Sequence, residues 1–182
     1  MNDLLFDFDI SRTEFSDAAY AAVGRALAFA TRFEANCRAL AALIGVREAM
    51  KVRGASDSES VDDLFDRLTQ EYWQVRRLRH HETSVVRRYK LPEDVRGILR
   101  VGRAARNEIA HEVTLGIAAE IETEEGRSRL LESLRDIVAK IEDADRIVCV
   151  LLHLDTQEPL PTVAAFEEFP TKVIKWVCDI DS

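Results

Sequence analysis

Arg106, Asn107 and His111 are the residues of this chain whose types and spacing suit chemistry together. They lie in the run Arg106-Asn107-Glu108-Ile109-Ala110-His111, where a cation, an amide and a titratable imidazole fall at helical spacing. A guanidinium grips phosphate oxygens through paired N–H donors and stabilises charge that builds in a transition state. An imidazole exchanges a proton near neutral pH. Together they suit transesterification of RNA. One group takes the proton of the 2′-OH or gives one to the 5′-leaving oxygen, while Arg106 holds the phosphate. This chemistry needs no metal. The adjacent His80-His81 pair cannot make a zinc site alone, and we expect no cofactor.

These residues need a helix to carry them, and the sequence supplies one from about Pro92 to His111. Pro92 suits a first turn, where its missing N–H costs nothing. Glu93 and Asp94 suit the positive end of the helix dipole. With Arg96 set to zero and about 100° per residue, Arg100 falls near 40°, Arg103 near −20°, Asn107 near 20° and His111 near 60°. Five polar residues then share one stripe. Ile98, Val101, Gly102, Ala105 and Ile109 fall on the other side, between about 140° and 240°. Arg96, Arg100 and Arg103 would track RNA phosphates. Asn107, one turn before His111, would orient the imidazole or contact the RNA backbone. Arg106 sits on the flank near −80°, about 80° or more from its nearer stripe members, and its long side chain reaches toward them.

The rest of the chain reads as a scaffold for this helix. Its 182 residues suit one domain, and the abundance of Ala, Leu, Arg and Glu favours helix throughout. The expected fold is all-α, an up-and-down bundle of four to five long helices spanning 1–182. Residues 1–12 form an N-terminal arm and 156–182 a C-terminal appendage packed on the bundle. The first helix covers 13–50, with Val23, Leu27, Ala30, Cys37, Leu40, Ala41 and Ile44 recurring at helical period and Phe29 and Phe33 flanking them. Residues 51–59 are the clearest loop. Ser60 and Asp63 then signal a second helix near Val61, which either runs on or breaks near Glu82-Thr83-Ser84. A long helix covers about Ser128 to His153, and a last element lies near Thr171 to Cys178.

Charge is unevenly spread. The chain carries −8 overall, with −5 over residues 1–75, +7 over 76–106 and −10 over 107–182. One basic zone inside an acidic protein focuses the field on an anion locally. The N-terminus has no basic segment followed by an apolar run, and nothing is long and apolar enough to span a membrane. Three scattered cysteines suit reduced core thiols. We therefore expect a soluble, cytoplasmic protein with no membrane partner.

The run from Arg106 to His111 resembles the signature of the HEPN superfamily, Arg-x4-6-His with a polar residue, often Asn, after the Arg. The helical pattern over roughly 13–155 is similar to the HEPN bundle, and FEANCRALAALI in the first helix resembles that family's opening helix. The resemblance implies a metal-independent endoribonuclease, often a toxin or antiviral defence effector. It implies a homodimer in which two motifs form one composite site, with Arg106 and His111 catalytic and Asn107 supporting. RNA is the expected substrate. An antitoxin such as a minimal nucleotidyltransferase is a partner in the toxin setting. Glu108 and Glu112 depart from the pattern by placing negative charge beside it. The alternative is a non-catalytic regulatory or interaction protein, since mannitol-repressor-like helical regulators show a similar Arg-Asn-x-x-Ala-His string.

Overall fold

A computed structural model describes residues 14–52, 60–74, 78–111, 113, 121 and 123–179, and every regular element among them is a helix. In chain order these are α1 (Glu14–Val52), α2 (Val61–Gln74), α3 (Leu78–Tyr89), α4 (Glu93–His111), α5 (Glu124–Thr156) and α6 (Val163–Cys178). The fold is an all-α bundle. The arm expected at residues 1–12 and most of the expected loop at 51–59 lie outside the described residues.

Helix ends follow local signals. The Ser60 hydroxyl accepts from the Asp63 N–H at 3.0 Å and donates to the Asp63 carboxylate at 2.7 Å, which starts α2 as the sequence implied. Thr123 caps α5 by accepting from the Gly126 N–H, and Thr162 caps α6 by accepting from the Ala165 N–H. Lys90 and Gln157 take left-handed φ values of 49° and 59° just past α3 and α5. One open alternative closes and two expected boundaries shift. Glu82-Thr83-Ser84 lie inside α3, so the chain does not break there. α5 begins at Glu124, a turn before the expected Ser128. α6 begins at Val163 and runs through Pro170, two turns before the expected Thr171. A proline inside a helix removes one backbone hydrogen bond. The Thr162 cap and the contacts of Phe166 and Phe169 with arginines hold the turns before it.

α1, α4 and α5 form the core, since α5 packs on both α1 and α4. Asn36 bonds Asp145 and Arg47 bonds Asp155, so contacts advance together and α1 and α5 run in the same direction. α2 and α3 cover one side of α1, and α6 lies across α1 and α5. Phe33, Leu40, Ile109, Leu134, Ile141 and Val148 are almost fully buried, each contributing about 1.5–3 kcal/mol by transfer from water. Along α1 the expected stripe is buried except Leu27, which is 44% exposed. Phe29 and Phe33, which the periodicity set at its flank, are at its centre, because α1 is enclosed on several sides. No described helix is long and apolar enough to cross a membrane.

Candidate functional site

α4 is positioned by a close crossing on α5. A Cβ at Gly102 would lie 2.3 Å from the Ala144 Cβ and 3.1 Å from the Lys140 carbonyl oxygen. Glycine is therefore required for this approach of the two backbones. Leu99, Gly102, Ala105 and Ile109 are the buried residues of α4. On the helical wheel used above they span about 180° to 300°. The sequence placed the apolar side between about 140° and 240°. The difference is visible in the side chains: Ile98 and Val101 are 39% and 48% exposed, whereas Leu99 is 3% exposed. The helix faces the groove between α5 and α1, not α5 alone, which rotates its buried arc toward Arg106.

Arg106, near 280° on that wheel, consequently falls inside the buried arc. Its side chain is 24% exposed, and its guanidinium donates to the Glu34 carboxylate on α1. Glu34 is itself buried and takes a second charged hydrogen bond from Arg38, one turn along α1. Arg106 Nη1 also donates to the Asn107 side-chain oxygen at 3.2 Å. The long side chain thus reaches the edge of the polar stripe, as its flank position allowed. Asn107 and His111 are both exposed, one turn apart, and His111 is the last residue of α4. The Asn107 oxygen accepts from Arg106, and its NH2 donors are not engaged by that contact.

The upstream arginines are placed differently. Glu93 in the first turn bonds Arg96 at 2.6 Å and Arg100 at 2.8 Å, and the Arg100 hydrogen bond holds the Glu93 carboxyl below its usual range. These are surface pairs in water, worth little and open to exchange with a phosphate. Arg103 is half-buried on the same side. The structure therefore brings Arg106 and Asn107 together, keeps Arg96 and Arg100 together at the other end of α4, and leaves His111 facing solvent. Glu108 adds negative charge here; Lys140 of α5 is held charged first by its hydrogen bond to Asp136 and in smaller part by Glu108. The side chain of Glu112 and those of His80 and His81 lie outside the described residues. Among the described residues, no three or more His, Cys, Asp or Glu are grouped to hold a metal ion.

Glu34 and Arg38 are partners the sequence reading passed over. Their signal was present: a Glu and an Arg four apart inside an otherwise apolar helix, within FEANCRALAALI. The same oversight applies to the buried acids Glu142, Asp145 and Asp155 of α5. Burial raises the Asp145 carboxyl, with Asn36 and Arg32 acting against that rise. Burial also pushes Glu142 up to about 7, despite Arg146 at 2.8 Å. A carboxyl whose folded pKa exceeds its unfolded value binds more protons in the fold. Stability then falls as pH rises from about 4.5 through 7 and levels beyond. Melting temperature should drop by several degrees between pH 5 and pH 8, and Glu142→Gln should flatten that slope. An unchanged slope in the variant would remove Glu142 as its source.

These observations define the class: an all-α bundle presenting an Arg-Asn-x-x-x-His string at the C-terminal end of a core helix. Compared with models of known families, with curated proteins and with solved structures, the chain gave no match.

Proposed function

We propose that this chain is a metal-independent endoribonuclease of HEPN type that works as a cytoplasmic homodimer and cuts single-stranded RNA. The observation carrying this reading is at the end of α4. His111 and Asn107 face solvent one turn apart, and Asn107 accepts from a guanidinium held from behind by a buried carboxylate. Glu34 divides its single charge between Arg38 and Arg106, so the cluster keeps one net positive charge for a phosphate. A cation already fixed in place loses little freedom on gripping a transition state. His111 takes the 2′-OH proton or supplies one to the 5′-oxygen. In one chain Arg106 and His111 diverge by about 140° and about 7.5 Å along the helix. A second copy resolves this, each phosphate receiving Arg106 from one protomer and His111 from the other. The exposed Ile98 and Val101 on α4 give that partner an apolar surface to cover. Toxin or antiphage use, with a minimal nucleotidyltransferase as antitoxin, belongs to this reading.

The test is cleavage of varied single-stranded RNAs in EDTA. Wild type should leave 2′,3′-cyclic phosphate ends, and His111→Ala should cut about 10²–10⁴-fold more slowly at unchanged melting temperature. Intact RNA after incubation with wild-type protein freed of any antitoxin would sink the nuclease.

The Arg106–Glu34 pair favours a second reading, a regulatory or interaction protein similar to the mannitol-repressor-like regulators, in which Arg106 serves the fold. On that reading Arg106→Ala lowers stability, His111→Ala does not, and neither protein cuts RNA.

A further inference from the structure

Where α6 crosses α1 and α5 it leaves a cavity of about 230 Å³. Ala165, Phe166 and Phe169 supply apolar wall, and Arg32, Arg146 and His153 supply polar wall. Both guanidiniums are fixed. Arg32 lies 5.1 Å from the Phe169 ring centre and 5.7 Å from that of Phe29, and its Nη2 is 3.2 Å from buried Asp145. Arg146 lies 5.0 Å from the Phe166 ring centre, with Nε 2.8 Å from buried Glu142 and Nη2 2.6 Å from Asp143. A guanidinium has five N–H donors in a rigid fork, and these acids use only part of each. The acids also limit what can enter. Asp145, Glu142 and Asp143 outnumber the two arginines by one charge, so each charge on a ligand is opposed and a polyanion most of all, while a single carboxylate is offset by the arginines' remaining N–H donors.

A further group points to a ligand. The His153 side chain is 30% exposed, and its Nδ1 is covered, has no hydrogen-bond partner among the described residues and lies 3.8 Å from the Glu158 carboxylate. Buried polar atoms without partners are rare and costly. Burial and the charge of Asp145 push the Cys149 thiol beside the cavity up to about 11, so no thiolate is available for covalent chemistry. The cavity holds about seven waters' worth of space, which suits one or two rings.

We propose that this cavity binds a small aromatic carboxylate with a single negative charge. Its ring lies against Phe166 and Phe169, its carboxylate meets the remaining donors of Arg32 and Arg146, and His153 Nδ1 gains a partner. The site is separate from the α4 motif and stands whether or not the chain cuts RNA.

Saturation-transfer NMR on the full chain tests it, with benzoate and indole-3-carboxylate as probes and benzamide and AMP as the neutral and dianionic comparators. Both carboxylates should receive saturation, benzamide and AMP much less. Arg146→Gln should weaken benzoate about tenfold or more, the scale of a lost charged hydrogen bond. Ala165→Trp should abolish binding by filling the cavity while both arginines remain. Ala165 is exposed in the first turn of α6, so this variant should fold even where Arg146→Gln does not. The proposal is overturned by wild type that gives no saturation to either carboxylate. It is equally overturned if binding survives in folded Ala165→Trp, or if benzamide or AMP binds as tightly as benzoate.

Discussion

Glu34→Ala should lower stability by about 3 kcal/mol, because it strips one carboxylate from two partly buried arginines. For a chain of this size that is a fall of roughly 6–12 °C in melting temperature. The figure is set at the low end of the usual cost of breaking a buried pair. Arg38 and Arg106 are 14% and 24% exposed, so both regain some water when Glu34 is lost. Arg106→Ala should cost less, since Glu34 keeps Arg38. The double variant should then be less unstable than the sum of the singles, with a coupling between about 0.5 and 3 kcal/mol. Denaturant melts of the four proteins measure this directly. Additive losses, or a Glu34→Ala variant that melts with wild type, would show that Arg106 is not held by this carboxylate. The result also bears on mechanism. A guanidinium held this firmly is placed before substrate arrives, so Glu34→Ala should slow any RNA cleavage through Arg106 without touching His111.

The helical class was legible because it rests on many weak, agreeing signals. Ala, Leu, Arg and Glu fill the chain, apolar residues recur at helical period, and Ser60 sits before α2. Boundaries were less legible. Pro170 reads as a stop, yet the Thr162 cap two turns upstream starts α6, and arginine–phenylalanine contacts carry it through the proline. Those contacts come from α1 and α5, far away in sequence, so no local pattern announces them.

The site divides in the same way. Asn107 and His111 face out as the wheel implied, because their positions on α4 are a local property. The environment of Arg106 was not legible. Its flank position near −80° reads as a surface arginine until the helix is known to face two neighbours. Ile98 and Val101 pulled the inferred apolar face toward themselves, though both are exposed. Apolar periodicity finds a greasy arc but not which helix covers it. The buried Glu34, Glu142 and Asp145 were missed for a related reason. Glu34 is a single acid among apolar residues and Glu142 and Asp145 sit in an acidic run, so each becomes informative only once its cation is found, and those cations lie on other turns or other helices.

Gly102→Leu should be the most damaging single change in α4, costing about 3 kcal/mol or more through overpacking. The first added carbon would already sit 2.3 Å from the Ala144 Cβ, with the Lys140 carbonyl at 3.1 Å. Neither obstacle is the end of a flexible chain, so the helices themselves must separate. Gly102→Ala isolates this effect. On an exposed helix it would gain about 1 kcal/mol of helix propensity. Here it should instead destabilise. Ala144→Gly in the same chain removes the atom it strikes, so the double variant should recover most of the loss even though a second glycine weakens α5. Arg106 lies one turn beyond Gly102, so a displaced α4 also draws it from Glu34. Gly102→Ala should therefore reduce the energetic coupling between Arg106 and Glu34, and Ala144→Gly should restore it. If Gly102→Ala melts at or above wild type, the close α4–α5 crossing is not what seats the motif.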